Sequence, residues 1–153
     1  AIANGGDLIK LNIVKKIQSE EGEKVFETEV EREDVISLKT STELTNMLVS
    51  VVDGSYSKRA KIEGYYIAGK SGTSQIPYSS LNQNKAGYSS ETWQSFIGYA
   101  PAYNPKFVVL VKLDSPTTTT SEYSAAPTFR EISKYILDYY KIPFDYSSEV
   151  TNE

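Results

Sequence analysis

The chain has 153 residues, 20 acidic and 16 basic, with a net charge of −4 and neither cysteine nor histidine. That length suits one domain or part of one, and a chain of this size can bury about 70% of the surface its unfolded form exposes. The scattered Lys and Arg residues give no electrostatic footprint for nucleic acid. Without cysteine there are no disulfides, thiolate zinc sites or thiol nucleophiles, and without histidine no Ser-His-Asp chemistry or imidazole metal site. Any proton transfer falls to Lys, a carboxylate or Tyr. The longest apolar run, Phe107 to Val111, is far shorter than the ~20 residues that a membrane-spanning helix needs. Composition leaves the compartment open.

Ala1-Ile2-Ala3-Asn4-Gly5-Gly6 reads either as a disordered tail or as the C-terminus of a helix whose start lies outside these residues, with Asn-Gly in the left-handed capping conformation. Asp7 to Ile17 alternates Ile9, Leu11 and Ile13 with polar partners, the pattern of a half-buried strand. Glu20 to Glu23 forms a turn, and Val25, Phe26 and Val30 lie on the return strand of an exposed hairpin. Glu27, Glu29, Glu31 and Glu33 alternate on one strand face, as a solvated surface does. Leu44, Met47, Leu48, Val51 and Val52 then fall on one helical stripe. Thr40 with Glu43 fits a capping box at the start of that helix, and Gly54 a C-cap at its end.

A strand carrying Lys70-Ser71-Gly72-Thr73 follows a polar connector that holds Lys58-Arg59. Pro77 to Ser90 is a polar loop of the length that often serves as a lid or binding loop. Thr92 to Ala100 and Lys106 to Asp114 are two more strands, joined by Pro101 to Pro105 in an antiparallel hairpin. Ser115 to Ala126, with four consecutive Thr, reads as linker. Pro127 opens a last helix with Phe129, Ile132, Ile136 and Tyr140 on one face; Pro143 ends it, and Asp145 to Glu153 is a frayed tail. The fold class is therefore α+β: a small N-terminal hairpin, a helix, and a three-stranded antiparallel sheet with a packed C-terminal helix.

The chemistry concentrates on Lys70 to Thr73. Alternation puts Ser71 and Thr73 on one face of the strand and Lys70 and Gly72 on the other. The two hydroxyls suit a carboxylate, and the Thr73 N–H suits an acyl oxyanion. Lys70 supplies positive potential beside a neighbouring hydroxyl. Gly72 weakens a strand, to good purpose where a ligand or another backbone must approach closely. How Lys70 reaches the side that carries Ser71 is not given by alternation. The aspartates show no metal-ligand spacing, and the 12 Tyr and one Trp spread over strands and helices instead of forming one sugar-binding face.

The K-[ST]-G signature resembles that of penicillin-recognising serine enzymes, which combine it with S-x-x-K and S-x-N elements that have no usable position here. The likeness runs on in order along the chain. Ala1 to Gly6, Ile67 to Gln75, Ser95 to Pro101 and Ala125-Ala126-Pro127 with Phe129 are similar to successive segments of class B penicillin-binding proteins. Departures fall in loops: Gly54-Ser55-Tyr56-Ser57 after the helix, Tyr103 in the Pro101–Pro105 turn, and Tyr123-Ser124 before the last helix.

The resemblance implies that residues 1–153 are the C-terminal portion of a D,D-transpeptidase domain, with the nucleophilic Ser and its Lys upstream. The parent enzyme would cross-link peptidoglycan through a serine acyl-enzyme and be acylated by β-lactams, and this portion alone would be inactive. Lys70 and the Thr73 N–H would be catalytic; Ser71, Gly72, Thr73 and Gln75 would line the substrate site. Implied partners are the D-Ala-D-Ala stem peptide, β-lactams, the remainder of the domain and other cell-wall synthesis proteins, with no cofactor or metal. The implied place is the extracytoplasmic face of a bacterial membrane, anchored by an upstream helix. Alternatives are a serine β-lactamase or β-lactam sensor, separable by a deacylation assay, and a non-catalytic cell-wall-binding module of the same fold.

Overall fold

The computed structural model describes residues 1–54 and 58–147, so Ser55 to Ser57 and the last residues of the expected tail lie outside the described residues. The chain divides into two compact units, Ala1–Leu44 and Thr45–Glu153. In the first, β1 (Leu8–Lys10) pairs antiparallel with β4 (Glu29–Arg32), and β2 (Lys16–Ser19) with β3 (Gly22–Val25). The expected hairpin is therefore present but broken into two short ladders. Between them only the Phe26 N–H to Lys15 O bond (2.9 Å) and the Asn12 side chain to Glu27 O (2.9 Å) bridge the arms. Leu11 and Ile13, placed on a half-buried face by alternation, are 84% and fully exposed. At the start of the chain Asn4 Oδ1 accepts the Gly6 and Asp7 N–H groups, and Gly5 and Gly6 have positive φ.

Helix α1 (Leu38–Asp53) crosses the boundary between the units. Its cap is Ser37, whose Oγ accepts the Thr40 N–H at 3.1 Å, so the helix starts earlier than a Thr40–Glu43 box implies. Gly54 N–H closes its end on Ser50 O at 2.9 Å. The buried positions are Ser41, Thr45, Val49 and Val52, while Met47 is 64% exposed.

In the second unit β5 (Ala68–Pro77), β6 (Tyr88–Ala100) and β7 (Phe107–Asp114) form an antiparallel sheet in the order β5-β6-β7. The expected loop after Pro77 is shorter than its composition suggests. A 3-10 turn at Tyr78–Leu81 is tied back by Gln83 N–H to Tyr78 O and Tyr78 N–H to Gly87 O. Helix α2 (Ala125–Tyr139) packs on β6 and β7. Phe96 and Phe129 meet with ring centroids 4.8 Å apart, and both are fully buried, each removing an aromatic side chain from water for about 2–3 kcal/mol. Gly98 makes that contact possible, because a Cβ there would lie 2.7 Å from the Phe129 ring.

The chain beyond α2 is not frayed as far as Tyr146. Asp145 Oδ2 accepts the Tyr66 N–H at 2.8 Å, Asp145 N–H reaches Gly64 O at 2.9 Å, and the Phe144 ring lies 5.1 Å from Tyr65.

Candidate functional site

Lys70 to Thr73 lies on β5, at one edge of the three-stranded sheet. The register pairs Lys70 with Ile97, Ser71 with Phe96, Gly72 with Ser95 and Thr73 with Gln94. Paired residues share a face. Ser71 and Thr73 thus stand on the side where Phe96 meets α2, and Lys70 and Gly72 on the opposite side. Lys70 is exposed, and its Nζ turns back to Ser71 O at 3.0 Å, which brings the ammonium to the backbone of the hydroxyl-bearing residue. Ser71 and Gly72 are half-buried, and Thr73 is exposed. Gln75 shares the parity of Thr73, but its Nε2 donates to Ser89 O at 3.3 Å across the hairpin.

Beside Gly72 and Thr73, on the face that carries Lys70, a shallow hollow of about 400 Å³ is walled by Trp93, Ser95, Leu110 and Lys112. The Lys112 ammonium sits 4.8 Å from the Trp93 ring centroid and 2.8 Å from Asp114 Oδ1. Lys70 and Lys112 give this side of the strand two cations, one of them paired to a carboxylate.

Two residues that sequence reasoning passed over, Ser121 and Gln94, hold the other side. Thr73 Oγ1 accepts the backbone N–H of Ser121 at 3.2 Å and lies 3.1 Å from Ser121 Oγ. Gln94, fully buried, bonds the Ser115–Ser124 segment through Thr118 and Ser124. The run of Thr is therefore an anchored wall, not a linker. The one signal in the sequence is the density of hydroxyl residues between a strand and a helix. A 3-10 turn, Ser121–Tyr123, presents Ser121, and the Arg59 guanidinium stands 4.4 Å from the Tyr123 ring.

The arrangement offers two hydroxyls, an ammonium and an open strand edge in a space of four residues. That set can bind an anion and a developing oxyanion. It contains no base positioned to activate a nucleophile, and among the described residues no group of three or more His, Cys, Asp or Glu gathers as a metal site.

A family model described as the penicillin binding protein transpeptidase domain matches residues 1–134. Penicillin-binding protein PbpB of Mycolicibacterium smegmatis is 32% identical over 153 residues, covering 93% of this chain and 23% of that protein. The probable peptidoglycan D,D-transpeptidase PbpC of Pseudomonas aeruginosa is 30% identical, covering 94% of this chain and 23% of that protein. Among solved structures, penicillin binding protein 3 from Mycobacterium tuberculosis complexed with ampicillin superposes with a TM-score of 0.81 at 28% identity, over 97% of this chain and 34% of that one. The chain thus spans about a quarter of the length of the curated relatives it matches. These relatives and structural neighbours are class B proteins, and the α+β architecture described above is that of their transpeptidase domains. With a match that runs through both compact units, the chain belongs to the penicillin-binding protein transpeptidase family.

Proposed function

We propose that residues 1–153 form the C-terminal portion of a peptidoglycan D,D-transpeptidase domain and supply one wall of its active site. In the reaction a serine from outside these residues attacks the penultimate D-Ala carbonyl of a stem peptide. The peptide bond to the terminal D-Ala breaks, D-Ala leaves with a proton, and the acyl group passes from the serine to an amine of a second stem peptide. Ser71 and Thr73 hydroxyls hold the terminal carboxylate, and a β-lactam carboxylate occupies the same place. The Thr73 N–H is one oxyanion donor. The observation that carries this reading is the opening of Ser71 O to the Lys70 ammonium at an edge strand. In an antiparallel edge strand, residues two apart point their backbone groups the same way, so the Thr73 N–H shares the outward direction of Ser71 O. Lys70 provides positive potential there, and Gln75 a lining contact limited by its bond to Ser89 O.

The face of the sheet away from α2 exposes Ile97, Val108 and Leu110, apolar surface on which the remainder of the domain would rest. A peptidoglycan substrate puts the protein at the extracytoplasmic face of the cell membrane, with other cell-wall synthesis proteins as neighbours. Among the described residues no helix is long and apolar enough to cross a membrane, so an anchor would lie elsewhere.

The test is covalent labelling with a fluorescent penicillin. The protein in its natural full length is expected to label, to lose label with Lys70→Ala, and to label about tenfold more slowly with Thr73→Val. The 153 residues alone should stay unlabelled. A labelled 153-residue chain, or a full-length protein that never labels, would overturn the assignment. Rapid release of the label would mark a β-lactamase instead.

A further inference from the structure

The Thr73 hydroxyl has one proton and two lone pairs. One lone pair is already committed to the Ser121 N–H, at 3.2 Å, and Ser121 Oγ lies 3.1 Å away with either oxygen able to donate. Ser121 itself is only 3% exposed, and among the described residues its hydroxyl has no other hydrogen-bond partner than Thr73. A carboxylate only accepts hydrogen bonds. When one sits against Thr73, the threonine proton must go to it, so the contact between the two hydroxyls can run only from Ser121 to Thr73. Thr73 then accepts twice, both lone pairs are filled, and its proton has a single direction left. Accepting two bonds also polarises the O–H and strengthens it as a donor.

Gln94 makes Ser121 a fixed partner. It is fully buried, and its Nε2 donates to Thr92 Oγ1 at 3.0 Å and to Thr118 O at 2.6 Å. Its Oε1 accepts from Thr118 Oγ1 at 3.0 Å and from Ser124 Oγ at 2.5 Å. A primary amide has two N–H groups and two lone-pair directions, so this one is fully used. The chain on both sides of Ser121 is thereby fastened to β6 directly opposite Thr73.

We propose that Ser121 is a positioning residue for the carboxylate site. It orients the Thr73 hydroxyl through a relay from Ser121 O–H to Thr73 Oγ1 and from Thr73 O–H to the ligand carboxylate, and Gln94 holds the turn that carries it. This rests on the carboxylate-clamp reading of β5 given above and adds to it a residue 48 positions away in sequence.

The experiment compares benzylpenicillin with its methyl ester on the full-length protein, reading the second-order rate constant of covalent labelling. The ester keeps the β-lactam but lacks the charged acceptor. The wild type should label faster with the acid than with the ester. Ser121→Ala should slow the acid at least about fivefold more than the ester. Combined with Thr73→Val it should add little, because both changes cut the same relay. A general loosening of the fold would instead slow both ligands alike, and that result, or an unchanged acid-to-ester ratio in Ser121→Ala, overturns the proposal. Full additivity with Thr73→Val overturns it as well. A wild type that labels with neither ligand, or with both at one rate, would sink the clamp reading itself, a failure distinct from loss of the relay alone.

Discussion

Gly72 stands on the Lys70 face of β5, opposite the Ser71 and Thr73 hydroxyls. Across the sheet it pairs with Ser95, and a Cβ added at Gly72 would lie 2.7 Å from Ser95 Oγ. Removing Ser95 Oγ relieves that contact. Gly72→Ala should lower stability by about 1–2 kcal/mol, the usual range for overpacking, and Gly72→Ala with Ser95→Ala should recover most of it. Denaturant unfolding of the two variants and of Ser95→Ala measures the cycle; strict additivity would mean that the strain lies elsewhere. Lys70 to Thr73 are legible in sequence because their chemistry is contiguous. Gln94 and Ser121 are not, since what they do depends on partners 24 and 48 residues away that no local pattern encodes.

Both helices were legible as helices, and their inner faces in part: Val52 and Phe129 are buried, and Leu44, Leu48, Val51 and Ile136 half-buried, as the spacing expects. Hydropathy spacing selects Phe129, Ile132, Ile136 and Tyr140 for the inner side of α2, yet Ile132 is 41% and Tyr140 69% exposed. The side that meets the sheet carries Ala126, Phe129, Ser133 and Leu137. Helix α1 shows the same turn toward small residues, with Ser41 and Thr45 buried and Met47 outside. Transfer preference ranks a side chain by its dislike of water, whereas close packing ranks it by the room available. Where Phe129 rests on Gly98, the helix lies near the strand, and small residues around it win. Ser133 carries a penalty for that choice: it is fully buried, and its Oγ has no hydrogen-bond partner among the described residues. Ser133→Ala keeps the volume nearly unchanged, removes an unsatisfied hydroxyl and improves helix propensity. It should stabilise the protein by about 1 kcal/mol. A lower melting temperature in this variant would show that the hydroxyl has a partner after all.

At the scale of the whole molecule, the order of elements was legible, because each strand and helix carries its own periodicity and its own turn residues. The extent of pairing in the first unit was not. Its strands expose nearly every residue, so no buried face pins their register and the alternation of Ile9, Leu11 and Ile13 had nothing to be read against. The second unit is held differently, and three titratable side chains tie its pieces together. Tyr99 on β6 lies 2.7 Å from Thr45 Oγ1 on α1, Tyr65 O–H donates to Ile142 O beyond α2, and Lys61 pairs with Asp53 at 3.0 Å.

Burial pushes the Tyr99 phenol above its ordinary value, and the Thr45 bond offsets only part of that. Burial does the same to Tyr65, helped by Asp138 and Asp145. The hydrogen bond to Asp53 raises Lys61 against a smaller opposing effect of burial, and that pair is exposed enough for water to weaken it. All three groups keep their proton to higher pH when folded than when unfolded. Their contribution is therefore complete below the unfolded values of 10.0 for Tyr and 10.5 for Lys, and is lost as pH rises through the folded ones. Stability measured by urea unfolding should be level through pH 8 and 9 and fall above about pH 10. Tyr99→Phe and Tyr65→Phe should each start less stable and decline less steeply, since a phenyl ring has no proton to lose. A Tyr99→Phe variant that declines as steeply as the wild type would place the alkaline transition in some other group.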